Sequence, residues 1–242
     1  MKHINDYITE KLTLSKNTVR QYKYEPKSKD ELKELIQKRI DETPIHDEID
    51  LNDINTVHIT DMSHLFYSLL GRFDDKKHRE FDVSEWDVSH VKNMGNMFSG
   101  CVSFNCDLSK WDTSSCADMF AMFSNCYAFN GDVTKWKTGN VKDMSSMFSH
   151  CEEFNQNISR WDVSNVEDMK GMFFYCKEFN QKLGRWKVSK CVTFDEMFFN
   201  CESLDFDISR WDVTNAGENT NKMFYGCRNF KKIPSWYMGT VE

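Results

Sequence analysis

The chain has no surplus of positive charge. Its 242 residues carry 31 Lys and Arg against 38 Asp and Glu, a formal net charge of −7. That excludes a general nucleic-acid binder, which would show a basic footprint. Signatures of common enzyme classes are missing too: no GxGxxG, P-loop, GxSxG or HExxH occurs. No CxxC pair or close His/Cys cluster is present, so no group of side chains has metal-ligand spacing and no cofactor is expected. The segment Met1 to Tyr24 holds Ile4, Tyr7, Ile8, Leu12 and Leu14, neither long nor apolar enough for a signal peptide or a membrane span. Without an export signal, the nine cysteines read as free thiols rather than a secreted disulfide scaffold. A host-cell cytoplasmic or virion location is expected.

What the chain does have is a period. Its seven tryptophans, Trp86, Trp111, Trp136, Trp161, Trp186, Trp211 and Trp236, stand 25 residues apart. A fixed period of this length signals a repeat architecture. Met-Phe pairs keep the same register at Met97-Phe98, Met122-Phe123, Met147-Phe148, Met172-Phe173 and Met197-Phe198. Met223-Phe224 comes one residue late, which places a one-residue insertion in the Asn215–Lys222 stretch. A cysteine column follows (Cys101, Cys126, Cys151, Cys176, Cys201, Cys227), read as small buried apolar residues.

Each unit divides into two halves. Around Trp161, Ile158, Val163 and Val166 alternate with polar residues and predict a short strand. Met169, Met172, Phe173 and Cys176 then fall at i, i+3, i+4 and i+7 and predict a helix of about two turns. Neither piece can bury its apolar side alone, so the units must stack. The fold class expected is an α/β repeat solenoid: a stack of 25-residue coils, each a short parallel strand plus a short helix, with an N-terminal helical cap. With strands about 4.8 Å apart, six intervals give a rod of roughly 29 Å.

The pattern FN-x-x-[IVL]-S-[KR]-W-D-[VT]-S-x-V-x-D-M-x-x-M-F-x-x-C resembles the BspA-type leucine-rich repeats, from about Leu51 to Tyr237. The resemblance implies a right-handed, leucine-rich-repeat-like solenoid used as a binding scaffold, with no catalytic residues. Residues before about Asp50 lie outside the period. Ser28-Lys29-Asp30-Glu31 is a capping-box sequence that opens an amphipathic helix ending near Thr43-Pro44. The division is therefore 1–49, leader and capping helix, and 50–242, repeats with a C-terminal cap. The stretches INDYITEKLTLSKNT and PKSKDELKELIQKRI look like the leader of bacteriophage-encoded proteins. A charged insertion, Asp74 to Arg79, loops out before Trp86.

Sites are sought where the repeat varies. Asp118, Asp143 and Asp168 recur before each Met and read as turn or cap residues, not as a catalytic pair. The residue before each Trp forms a basic column, Lys110, Lys135, Arg160, Arg185 and Arg210. Neighbouring acidic columns offset it, or it is a recognition stripe in which Arg160, Arg185 and Arg210 would pair bidentately with carboxylate or phosphate. The residue after Met-Phe is Ser99, Ser124 and Ser149 early, then Phe174, Phe199 and Tyr225, with Tyr175 alongside. That change is either a thicker core or an exposed aromatic strip of the kind that marks partner sites. Tyr127 and Phe120 stand apart as a smaller case.

The function expected is non-enzymatic protein binding, in one version a phage protein that inhibits a host defence protein. Phe174, Tyr175, Phe199 and Tyr225 would be the anchors and Arg160, Arg185 and Arg210 the charged selectors. The alternatives are a packaged virion component addressed by its leader, and a surface adhesin or carbohydrate binder. The partner is a protein of host or phage, not nucleic acid or membrane.

Overall fold

The computed structural model describes residues 22–44, 47–67 and 79–241. The leader up to residue 21 and most of the charged insertion (68–78) lie outside them. Among the described residues one helix is formed, α1, Lys29–Glu42. Ser28 caps it by accepting the Glu31 N–H at 3.2 Å, while the Glu31 carboxylate reaches back to the Lys27 N–H at 2.7 Å. Leu32 and Ile36 are buried in the same core as Leu51 and Ile54, so α1 closes over the first repeat. Arg39 ties the helix down through Asp53 at 3.0 Å.

Two short strands, β1 (Ile49–Asp50) and β2 (Phe81–Asp82), pair in parallel, with Ile49 opposite Phe81. Beyond them successive units join through single parallel bridges: Asp61 to Asn93, Asn93 to Asp118, Asp118 to Asp143, Asp143 to Asp168, Asp168 to Thr193. From Met94 onward every second N–H crosses to the next unit. Met94 donates to the Asp118 carbonyl, Asn96 to Phe120, Phe98 to Met122 and Gly100 to Ser124. The N–H groups between them close turns at home: Met97 to Met94, Ser99 to Asn96 and Cys101 to Phe98.

The Asp-Met-x-x-Met-Phe segment is thus a ladder of consecutive turns, not the short helix predicted for it. The backbone-to-backbone hydrogen bonds between units run along this segment and not along the Trp segment, where a strand was predicted and turns are found. The cause is backbone handedness. Two residues per unit, four apart, have positive φ: Asn96 and Gly100, Ala121 and Asn125, Ser146 and His150, Gly171 and Tyr175, Glu196 and Asn200, Lys222 and Gly226. An α-helix needs an unbroken right-handed run. A left-handed residue at every fourth position stops i→i−4 bonds and frees alternate N–H groups for the neighbouring unit. The apolar spacing i, i+3, i+4, i+7 is kept, because those positions still face inward: Met169, Met172, Phe173 and Cys176 are all fully buried.

Inside, each column of the repeat becomes a stack. Phe123 and Phe148 lie 5.6 Å apart, Phe148 and Phe173 5.8 Å, Phe129 and Phe154 6.0 Å between ring centroids, and within a unit the two columns touch, Phe148 to Phe154 at 4.0 Å. Each buried ring contributes roughly 1.5–3 kcal/mol of transfer free energy. The tryptophans do more than pack. Trp111, Trp136, Trp161, Trp186 and Trp211 each donate their indole N–H to a carbonyl 28 residues back, at 3.0–3.2 Å. The buried cysteines do the same with S–H, as Cys151 to Phe123 and Cys176 to Phe148. An asparagine column adds outer rungs: the side-chain oxygen of Asn130 accepts from Asn155 N–H, and that of Asn155 from Asn180 N–H. At the late insertion Gly217 takes φ +55 and the ladder offset grows by one residue, Phe173 pairing with Met197 but Phe198 with Met223. Register is lost at the last indole, since Trp236 Nε1 is buried without a partner.

Candidate interaction surface

The acidic columns are accounted for locally. Asp118, Asp143 and Asp168 each accept the N–H two residues on, at 2.8–2.9 Å, and start the turn ladder. Asp107, Asp112, Asp162 and Asp212 do the same for the turns around Trp. The thiols are free and unreactive: burial pushes Cys106, Cys116, Cys191 and Cys227 up to about 12, and Cys101 and Cys126 higher still. Thiolate chemistry at neutral pH is thereby suppressed. Among the described residues no three His, Cys, Asp or Glu side chains are placed to hold a metal ion. No helix among them is long and apolar enough to cross a membrane.

The basic column divides in two. Lys110 pairs with Glu85 of the preceding unit, and beside the column Lys137 pairs with Asp112 at 2.8 Å. Lys135, Arg160, Arg185 and Arg210 are exposed and form no ion pair among the described residues. Beside Arg160 and Arg185 the preceding acidic column has given way to Asn157 and Lys182, where other units carry Asp82, Asp107, Asp132 and Asp207. Arg185 lines a shallow groove with Asn157, Asn180 and Lys232. Arg210 lies close enough to Asp207 to help hold its carboxyl below the usual range, behind the larger effect of the Ser209 N–H and hydroxyl.

The aromatic residues do come together. Phe174 stacks on Phe199 at 4.9 Å, and Phe199 on Tyr225 at 5.1 Å. Tyr175 leans on both, at 4.8 Å from Phe174 and 5.7 Å from Phe199. None belongs to the buried core: Phe174, Tyr175 and Phe199 are half-buried and Tyr225 is 39% exposed. They therefore form a surface strip, not a thickening of the core. The strip continues through a residue that ring-counting in the sequence passes over. His150 lies flat on Tyr175 at 5.0 Å, with planes 4° apart, and meets Phe174 at 5.3 Å. Tyr127 adds an edge contact to His150 at 6.4 Å. Partial burial moves the His150 pKa down, with Glu152 opposing this and Lys177 adding to it, which favours the neutral ring. Rings thus run without a break from Tyr127 to Tyr225. Among the described residues no cation–ring contact joins the arginine row to these rings.

The sequence pattern of a family described as "Mycoplasma protein of unknown function, DUF285" matches residues 36–157 and again 143–242. No curated protein and no solved structure matches the chain.

Proposed function

The chain belongs to the DUF285 family, a repeat family of unknown function, and we propose that it is a non-enzymatic scaffold that binds another protein along the aromatic strip. On this reading the stacked units make a leucine-rich-repeat-like solenoid of the BspA type, whose long axis sets out a row of side chains at fixed spacing. The observation that carries the proposal is the run of half-buried rings, Tyr127, His150, Tyr175, Phe174, Phe199 and Tyr225, outside the core. Aromatic side chains supply large contact area at low entropic cost and dominate binding hot spots. A soluble chain gains nothing by leaving such a row uncovered, because each ring keeps apolar area in water. The narrower version, a phage protein that captures a host defence protein, rests on the leader, whose residues to 21 are outside the described part.

The test uses the units that lack the rings. Ser99, Ser124 and Ser149 occupy the equivalent position in early units, so serine is compatible with the backbone there. Tagged full-length chain and the Phe174→Ser/Phe199→Ser variant are used to capture proteins from host-cell lysate. We expect a stoichiometric partner with the first and at least a tenfold loss with the second, at an unchanged far-UV circular dichroism spectrum. Equal capture by both would remove the strip from the binding site.

A further inference from the structure

The strip has a pitch and a charge pattern, and together they specify the shape of what lies on it. The rungs are 4.9–5.1 Å apart: His150 to Tyr175, Phe174 to Phe199, Phe199 to Tyr225. The ring faces are taken up by one another, so solvent meets a row of ring edges with a furrow between each pair. An α-helix lying along the row presents one residue per turn to it, at i, i+4, i+7 and i+11, with a pitch of about 5.4 Å. Over the three or four rungs available it stays in step. An extended strand places same-face residues about 6.7 Å apart and is out of step by the second furrow. A polyproline helix, with about 9.3 Å per turn, would use every other rung only.

Charge narrows the choice further. The residues three before and three after each rung flank it. Gly171 is on one side, where a Cβ would stand 3.7 Å from that of Phe174. Lys177 is on the other, within the field of Tyr175. At the equivalent repeat positions of the next rung, Phe199 has Glu196 and Glu202, both acidic; at the one after, Tyr225 has Lys222 and Arg228, both basic. Earlier along the strip Glu152 and Lys177 satisfy each other at 2.7 Å. Glu196, Glu202, Lys222 and Arg228 make no ion pair among the described residues, Glu202 acting on Lys177 only through its longer-range charge, so two acidic and two basic groups border adjacent furrows.

We infer that the strip is a docking track for an amphipathic α-helix, whose apolar ridge fills the furrows while basic side chains flank it at Phe199 and acidic side chains flank it one turn on, at Tyr225. This rests on the protein-binding reading above and adds the partner's shape and charge order. The mode is helix-in-groove recognition, in which affinity comes from the ridge and orientation from the flanks.

The experiment uses designed peptides on the full chain. One is a helix of about four turns, stapled on its outward face, with leucines at i, i+4, i+7 and i+11. Two lysines flank one central leucine and two glutamates flank the next. A twin of the same composition places one lysine and one glutamate beside each leucine, a mismatch in either orientation. A third carries a central proline pair and cannot be helical. Binding is read by fluorescence anisotropy. The matched helix is expected to bind about tenfold tighter than the twin, and the proline peptide not at all. The Glu202→Lys/Arg228→Glu variant makes both rungs mixed and should invert the preference. Equal binding of the two helices, an unchanged preference in the variant, or binding of the proline peptide alone or of none would overturn the helix assignment. If capture from lysate still depends on Phe174 and Phe199 in that case, protein binding stands and only the helix falls. If capture is also insensitive to the rings, both fall.

Discussion

Tyr175 sits at φ +59, in a column otherwise filled by Gly100, Asn125, His150, Asn200 and Gly226. Glycine and asparagine take the left-handed conformation readily, and histidine sometimes does. A tyrosine there pays roughly 1–2 kcal/mol in backbone strain. Nothing in the core calls for it, because the ring points into the half-exposed strip. Strain retained at a surface residue is a mark of a functional constraint. Tyr175→Asn removes the strain together with ring contacts of about 0.5–1.5 kcal/mol. Its stability should therefore lie within about 1 kcal/mol of the parent by urea unfolding, with partner capture weakened at least tenfold. Phe173→Ala, two residues earlier and fully buried, should cost about 3–5 kcal/mol. A comparable loss for Tyr175→Asn would mean that the ring supports the fold.

The turn ladder shows what can be read from a repeat pattern and what cannot. The period, the inward columns, the capping helix with Ser28 at its start and the one-residue slip near Gly217 were all legible, because burial imposes them on residue type. The turn geometry was hidden, since a short helix and a run of turns put the same i, i+3, i+4, i+7 residues inside. The available clue was the Gly and Asn content of the 100, 125, 200 and 226 column, which the conformation demands. Within the site, Phe174, Phe199 and Tyr225 were visible as a polar-to-aromatic change; His150 was not, because a histidine is read first as a titratable group. The ladder also stacks carboxylates. Asp118, Asp143 and Asp168 are bridged neighbours, and burial raises the Asp168 pKa, with Asp143 and Asp195 adding to it. A carboxyl raised in the folded state binds more protons than in the unfolded chain, so its ionisation costs stability as pH rises through the folded value. Asn93 performs the same turn contact uncharged, accepting the Gly95 N–H at 2.8 Å. Asp168→Asn should accordingly stabilise the protein by about 0.2–0.5 kcal/mol at pH 7, the scale of a like-charge pair on adjacent strands. The gain should vanish below the ordinary carboxylate value of 3.8, where both states are protonated. A loss at pH 7 would show that the charge itself serves the ladder.

At the scale of the whole molecule, each unit hands its alternate N–H groups to the next and receives the same from the one before. Stability is then close to a sum over units and their contacts, and any unit can be removed if the columns rejoin. Deleting residues 129–153 brings Phe154 directly after Ala128, in the place of Phe129, with every later column in step. The shortened chain should fold and unfold cooperatively. Its denaturant m-value should fall by roughly a tenth, in proportion to the surface removed, 25 of 242 residues. Deleting one residue fewer, 129–152, is not a milder change. It moves the inward face of every later unit by one position, so that Met172 takes the inward place of Phe173 and the left-handed positions fall on Lys170 and Phe174, residues chosen for right-handed ones. The natural slip at 215–222 is absorbed because Gly217, at φ +55, takes up the extra residue in an exposed turn; the turn where Ala128 would meet Glu153 holds no glycine and no left-handed residue. The one-residue-shorter deletion should lose most of its cooperative transition. If both deletions unfold alike, register between units does not hold this molecule together.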